Sequence, residues 1–247
     1  ILALDAAGVD ILVEPVKLSG QTIKPHPRIQ ELINKSWRKP DVIIQNFLPQ
    51  IMAYKGGVKN IGYFFTETDN FSQSLWQHYL NLMDGILVSD VSSVLACKRS
   101  GVTKPIKKIP IPCDQEIYKK DYSNRLNLPL GNNFVFYNIG DYSSRKGMKE
   151  LITAYLSHFT AYDSVLLVLK TYVEMTTPEQ SVKIINDEIS KIKRSLRFGP
   201  QHPYPKIIIL PHYLPDESIY ALHQMSHCFV TCEKGAAWNI PCFAVSY

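Results

Sequence analysis

Asn138-Ile139-Gly140-Asp141-Tyr142-Ser143-Ser144-Arg145-Lys146-Gly147-Met148 closes one apolar run and opens another of a different period. Upstream, Phe134-Val135-Phe136-Tyr137 has the β-branched and aromatic make-up of a buried strand. Downstream, Leu151, Ile152, Ala154, Tyr155 and Phe159 recur at helical spacing. The loop is therefore expected at a strand's carboxyl end and a helix's amino end, where open α/β sheets bind ligands and helix N–H groups meet anions. Arg145 and Lys146 supply two cations there. A phosphate-bearing ligand fits such a loop; so does solvent around two exposed bases, and the local pattern leaves both readings open.

The alternation of strand and helix runs in both directions from this loop, and predicts an α/β fold with parallel sheets and helices on both faces. Toward the N-terminus, Ile11-Leu12-Val13, Val42-Ile43-Ile44, Lys59-Asn60-Ile61-Gly62-Tyr63-Phe64-Phe65, Ile86-Leu87-Val88 and Lys107-Lys108-Ile109-Pro110-Ile111 are candidate strands. Helical spacing covers 28–35, 72–83 and 92–100 between them. Toward the C-terminus, strands are expected at Phe134-Val135-Phe136-Tyr137, Val165-Leu166-Leu167-Val168-Leu169, Ile207-Ile208-Ile209-Leu210 and His227-Cys228-Phe229-Val230, with helices over 149–159, 178–194 and 217–225. The polar run 115–131, holding Pro129 and Gly131 and few apolar anchors, reads as a linker. Two domains are thus predicted, 1–127 and 132–247.

Composition is ordinary globular material, with 45% apolar and 20% charged residues in a chain of 247. The net charge of +5 suits anionic small molecules or lipid headgroups and falls far short of a nucleic-acid signature. No apolar stretch approaches the roughly 18 residues of a membrane span, and the start at Ile1 lacks the basic segment and cleavage site of a signal peptide. Cys97, Cys113, Cys228, Cys232 and Cys242 are odd in number and lie mostly in apolar contexts, so buried free thiols in a reducing compartment are expected. His202 and His212 show no metal-ligand spacing with carboxylates or cysteines.

A set of motifs in a particular order carries a resemblance. Asp84-Gly85-Ile86-Leu87-Val88-Ser89 precedes Gly101-Val102, then Ile109-Pro110-Ile111-Pro112-Cys113-Asp114 and Tyr118; the Arg145-Lys146-Gly147 loop follows. Pro215-Asp216-Glu217 then leads through Ile219-Tyr220-Ala221-Leu222 to Cys228-Phe229-Val230, and last comes Glu233-Lys234-Gly235-Ala236-Ala237-Trp238-Asn239-Ile240-Pro241. Order and spacing together resemble the two-Rossmann-domain (GT-B) nucleotide-sugar glycosyltransferases, family 4 in particular. The resemblance implies two Rossmann-like domains facing across a cleft, with the acceptor in the first and the donor in the second. It also implies that both ends are truncated: 1–8 resembles the first helix of a Rossmann domain with its terminal glycine, and more of the donor domain should follow Tyr247.

What the resemblance implies about residues is specific. Lys146, with Arg145 second, would meet the leaving diphosphate beside Gly140, without a metal or other cofactor. Relatives often carry Arg after that glycine, where this chain has Asp141; its acid is expected to point away or cap the following turn. Two acidic places in the last motif, which contact donor sugar and ribose in relatives, fall on Ala236 and Ala244, and Glu233 lies three residues too early to match the first. Backbone amides of Ala237, Trp238 and Asn239 could still hold sugar or phosphate, while Trp238 also reads as a core aromatic. Glu67, just past a strand end, would position the acceptor hydroxyl or steady positive charge on the sugar, with Asp69 a weaker neighbour or a helix cap. Tyr213 and Leu214 would read the nucleotide base, Lys170-Thr171 is a further donor-facing candidate, and His78 reads as packing. The implied protein is a retaining glycosyltransferase acting on a nucleotide sugar and a glycan, lipid-linked or small-molecule acceptor, cytoplasmic or peripheral at a membrane. The alternative is an inactive relative serving as a scaffold or nucleotide-sugar binder, which natural alanines at 236 and 244 would favour.

Overall fold

The computed structural model describes residues 1–16, 24–112 and 115–244. Cys113 and Asp114 of the resemblance, and residues 245–247, lie outside them. The first half runs α1 (Leu2–Ala6), α2 (Pro27–Ile33), β1 (Val42–Asn46), β2 (Lys59–Tyr63), α3 (Trp76–Leu82), β3 (Gly85–Val88), α4 (Val91–Arg99) and β4 (Ile106–Lys108). The second runs α5 (Gln115–Tyr118), β5 (Phe134–Ile139), α6 (Met148–His158), β6 (Val165–Lys170), α7 (Pro178–Leu196), β7 (Lys206–Leu210), α8 (Asp216–Met225), β8 (Cys228–Phe229) and α9 (Ile240–Ala244). Two four-stranded sheets result, ordered β1-β2-β3-β4 and β7-β6-β5-β8, and every pairing is parallel.

Burial on both faces explains why the second sheet's central strands read as unbroken apolar runs. Leu167, Leu169 and Phe136 face α6 and α7, against Ile152, Leu156, Ile185 and Ile189. Leu166, Val168, Val135 and Tyr137 face the other way, against Leu222 of α8. Each such aliphatic side chain contributes about 1.5–3 kcal/mol on burial. The long helix α7 is fixed in register by a capping box between Thr177 and Gln180, with Pro178 in its first turn. In the first half, Phe64, Phe71, Leu80, Met83, Ile86 and Val88 form the core between the sheet and α3 and α4.

Local expectations change in several places. Ile11-Leu12-Val13 forms no strand: the Val13 N–H donates to the Leu32 carbonyl of α2 at 3.4 Å instead of joining a ladder. The α3 helix starts at Trp76, not near residue 72, because Asn70 and Ser74 side chains accept from the Ser72 and Trp76 N–H groups and hold 72–75 in turns. The segment 115–131 has more anchors than its polarity suggested: Leu126, Leu128 and Leu130 line the face of the second sheet. Tyr122 is buried, and its N–H donates to Gln224 of α8 at 2.9 Å. Alternate leucines give a strand-like period too weak to stand out among charged neighbours.

The cysteine expectation is corrected too. Cys97 is buried, and desolvation pushes its thiol up to about 12; Cys228 is half-buried, and Cys232 and Cys242 are exposed. All four are free thiols. No helix among the described residues is long and apolar enough to cross a membrane.

On the α8 face, Tyr137 Oη and His223 Nδ1 share a 2.6 Å hydrogen bond, and burial lowers the His223 pKa from 6.5 to about 4. Between these values the unfolded chain binds a proton that the folded chain does not. Stability is therefore fully present above about pH 6.5 and is lost as pH falls toward 4, by at most about 3 kcal/mol. Urea midpoints of the protein and of His223→Gln, measured at pH 7 and pH 4.5, should show the steeper acid loss in the unsubstituted chain; parallel losses would remove His223 as the cause.

Candidate functional site

The site gathers at the carboxyl ends of β2 and β3 in one sheet and β5 and β8 in the other. In the second sheet the chain turns from β5 to β6 on one side and returns as β8 on the other, so β5 and β8 flank the point where strand order reverses. A crevice opens at such a point in open α/β sheets. Buried Asn138 fixes it, donating from Nδ2 to the Val230 carbonyl at 2.6 Å and so tying the end of β5 to the segment after β8.

After β5 the chain passes Gly140 and turns at Gly147, which is left-handed with φ +63° and precedes α6. A Cβ at Gly147 would stand 2.1 Å from the Cys232 carbonyl oxygen, so only glycine lets the two loops pack. Backbone contact continues from the Lys234 N–H to the Arg145 carbonyl at 2.8 Å. The Arg145-Lys146 pair is thereby set against Glu233.

Glu233 is the centre of the cluster, with its side chain only 7% exposed. Its Oε1 accepts from Lys146 Nζ and, at 3.4 Å, from Arg145 Nη1; its Oε2 accepts from Asn239 Nδ2 at 2.7 Å. Arg145 Nη1 also donates to the Gly235 carbonyl at 3.1 Å and to Glu67 Oε1, from the other half, at 2.9 Å. Glu67 is brought there by Phe64, which is buried edge-on to Phe71 and Trp76 and anchors the turn after β2. Gly235 packs against the same turn: a Cβ on it would meet the Glu67 carbonyl oxygen at 3.3 Å.

A cavity of about 620 Å³ lies beside this cluster. Its first-half wall includes Thr66, Glu67, Asp69, Asp90 and Ser93; Ala236, Ala237, Trp238, Asn239 and Cys242 close the other side. Asp90 caps α4, taking hydrogen bonds from the Ser93 N–H at 2.8 Å, the Ser93 hydroxyl at 2.7 Å and the Ser89 hydroxyl at 2.8 Å. Burial pushes its pKa up, but these hydrogen bonds outweigh it and hold the carboxyl below its usual range, so Asp90 is charged at neutral pH.

Of the residues singled out from sequence, the structure unites Glu67, Arg145, Lys146 and Asn239 in one network and sets Ala236, Ala237 and Trp238 on the cavity wall. Gly140 lies behind Lys146: a Cβ there would stand 3.6 Å from that side chain. Ala244 lies in α9. Tyr213, 84% exposed, and Leu214 follow β7, the edge strand two positions from β5, and are not among the cavity's lining residues. Asp141 forms no side-chain cap of the turn; its Oδ1 leans to Arg145 Nη2 at 3.8 Å. Asp69 caps no helix and faces Arg99 at 3.7 Å. Lys170 ends β6, with its ammonium 5.9 Å from the centre of the Tyr172 ring and its pKa lowered by burial. His78 is exposed on α3 and is not a lining residue. Sequence reasoning discounted Glu233 and overlooked Asp90 and the Gly235 carbonyl. A residue three places off a motif can still reach it across a turn, and an Asp directly after a strand and before a helix is a legible cap signal.

No protein-family model matches the chain, and no curated protein sequence matches it. Among solved structures it is similar to the α,α-trehalose-phosphate synthase (UDP-forming) from Burkholderia xenovorans in complex with glucose-6-phosphate, at 14% identity and a TM-score of 0.62, over 85% of this chain and 57% of that one. The sucrose-phosphate synthase from Thermosynechococcus elongatus matches at 12% identity and a TM-score of 0.57, over 83% and 53%. A trehalose-6-phosphate synthase studied for glycosyl transfer with retention matches at 14% identity and a TM-score of 0.54, over 76% and 50%. The chain spans about half the length of these structures. At such identities the likeness shows the fold, and that fold is GT-B.

Gly147→Ala tests the loop contact. Forcing a side chain into the left-handed region and against the Cys232 carbonyl should cost at least about 1–3 kcal/mol. A urea midpoint unchanged from the parent would contradict the packing described.

Proposed function

We propose that this chain belongs to a glycosyltransferase that moves a sugar from a nucleotide-sugar donor to an acceptor hydroxyl. The observation that carries the reading is the convergence of Arg145 and Lys146 on one carboxylate oxygen, Glu233 Oε1, at the β5–β8 crevice, with Glu67 from the facing half in reach. Two cations sharing one anionic oxygen beside the start of α6 are suited to a phosphate oxygen at the same place. A donor diphosphate would take over those cations from Glu233, and Arg145 and Lys146 would stabilise the charge that grows on it as it leaves. In transfer, the acceptor oxygen bonds to the anomeric carbon, the bond to the diphosphate breaks with its electron pair going to the diphosphate, and the hydroxyl proton passes to that leaving group or to solvent.

The finer parts of the proposal are family 4 membership, retention of anomeric configuration and independence of a metal or other cofactor. So are an acceptor domain over 1–127, with its linker at 115–131, a donor domain over 132–247, and a cytoplasmic or membrane-peripheral setting for glycan assembly. They rest on the motif resemblance, and the solved relatives described as UDP-forming or retaining lend it support. Tyr213 and Leu214 would act only if the nucleotide base extends past β6 to the sheet edge. Alanine at 236, on the cavity wall, and at 244, where it is natural rather than an engineered replacement, would favour a second reading, a catalytically silent nucleotide-sugar binder or scaffold.

Calorimetric titration with UDP, GDP and ADP tests the proposal. One nucleotide should bind selectively, and Lys146→Ala should weaken it by about 1.5–3 kcal/mol, roughly ten- to a hundredfold. Glu67→Gln should leave nucleotide binding intact and slow transfer about tenfold or more. Transfer with no dependence on Glu67 would favour another catalytic group, no transfer in any form would favour the silent binder, and no nucleotide binding would sink the proposal.

A further inference from the structure

We propose that the cavity beside the Arg145-Lys146 cluster takes an uncharged polyhydroxyl acceptor and discriminates against phosphorylated sugars, an inference that rests on the glycosyltransferase reading and deepens it. Three carboxylates line the cavity, from Glu67, Asp69 and Asp90, and among the described residues no lysine or arginine does. The cations nearby are already engaged: Arg99 faces Asp69 at 3.7 Å, and Arg145 is shared among Glu67, Asp141 and Glu233. Lys146 is paired with Glu233. Across cavity and cluster, the five carboxylates of Glu67, Asp69, Asp90, Asp141 and Glu233 thus outnumber the three cations of Arg99, Arg145 and Lys146.

A sugar hydroxyl is a donor as well as an acceptor, so carboxylates and threonine or serine hydroxyls satisfy it from both sides. Trp238 adds an aromatic residue to the opposite wall, a side-chain type against which the C–H face of a sugar ring packs. A phosphate monoester has oxygen acceptors and, near neutral pH, close to two negative charges. In this cavity it would lie among like charges and draw on cations that the donor diphosphate also needs. The chemistry of the wall therefore differs from that suited to the glucose-6-phosphate held by the Burkholderia synthase.

The test uses the whole chain saturated with UDP and measures sugar affinity by saturation-transfer NMR for three pairs: glucose, mannose and galactose, each against its 6-phosphate. At least one parent sugar should bind about tenfold or more tightly than its phosphate, and no phosphate should be preferred. Asp69→Lys, on an exposed side chain, should narrow that gap. A 6-phosphate that binds as well as or better than every parent sugar overturns the inference, as does discrimination unchanged in Asp69→Lys. If UDP binds but no sugar does, the inference fails while the glycosyltransferase reading stands; if UDP fails to bind, both fall.

Discussion

Arg145 and Lys146 can share a carboxylate oxygen of Glu233 only because two loops from neighbouring strands pass within backbone contact at Gly147. That contact is the constraint on which the site depends. It places two cations at the end of β5, buries Glu233 between them, and leaves Arg145 long enough to reach Glu67 from the other sheet. Isolated surface ion pairs contribute little to stability, and Arg145 and Glu67 are each 42% exposed. Their value lies in geometry: a planar guanidinium bonded to Glu67 and to the Gly235 carbonyl has few orientations left.

The fold supplies this geometry through the parallel order of its two sheets. Parallel strands put all their carboxyl ends on one side, so the loops after β2, β3, β5 and β8 meet while the helices return the chain behind the sheets. Core and site are coupled through few residues. Phe64 anchors the turn that presents Glu67, Asn138 ties the end of β5 to the chain after β8, and the Ser93 and Ser89 hydroxyls hold the Asp90 carboxylate at the head of α4. Phe64, Asn138, Ser89 and Ser93 are all buried.

Most of the architecture was legible in the chain because parallel strands buried on both faces are written as apolar runs. Val165-Leu166-Leu167-Val168-Leu169 and Phe134-Val135-Phe136-Tyr137 became the central strands of the second sheet. Ile11-Leu12-Val13 carried the same local signal and did not pair, since a short apolar run becomes a strand only where a sheet edge receives it. The Arg145-Lys146 loop was legible from its position between a strand and a helix. Glu233 was not, because its role comes from a turn that folds it back onto Lys146, and spacing along the chain is silent on such a return. Asp90 was overlooked for the opposite reason: a capping residue looks structural until the cavity beside it is seen.

The most direct measurement is a crystal structure of the whole chain with UDP. The account predicts the terminal phosphate of UDP within hydrogen-bond reach of Lys146 Nζ and the Arg145 guanidinium, with the Lys146–Glu233 pair broken. UDP bound away from the β5–β8 crevice, or bound there with Glu233 still holding Lys146, would contradict it.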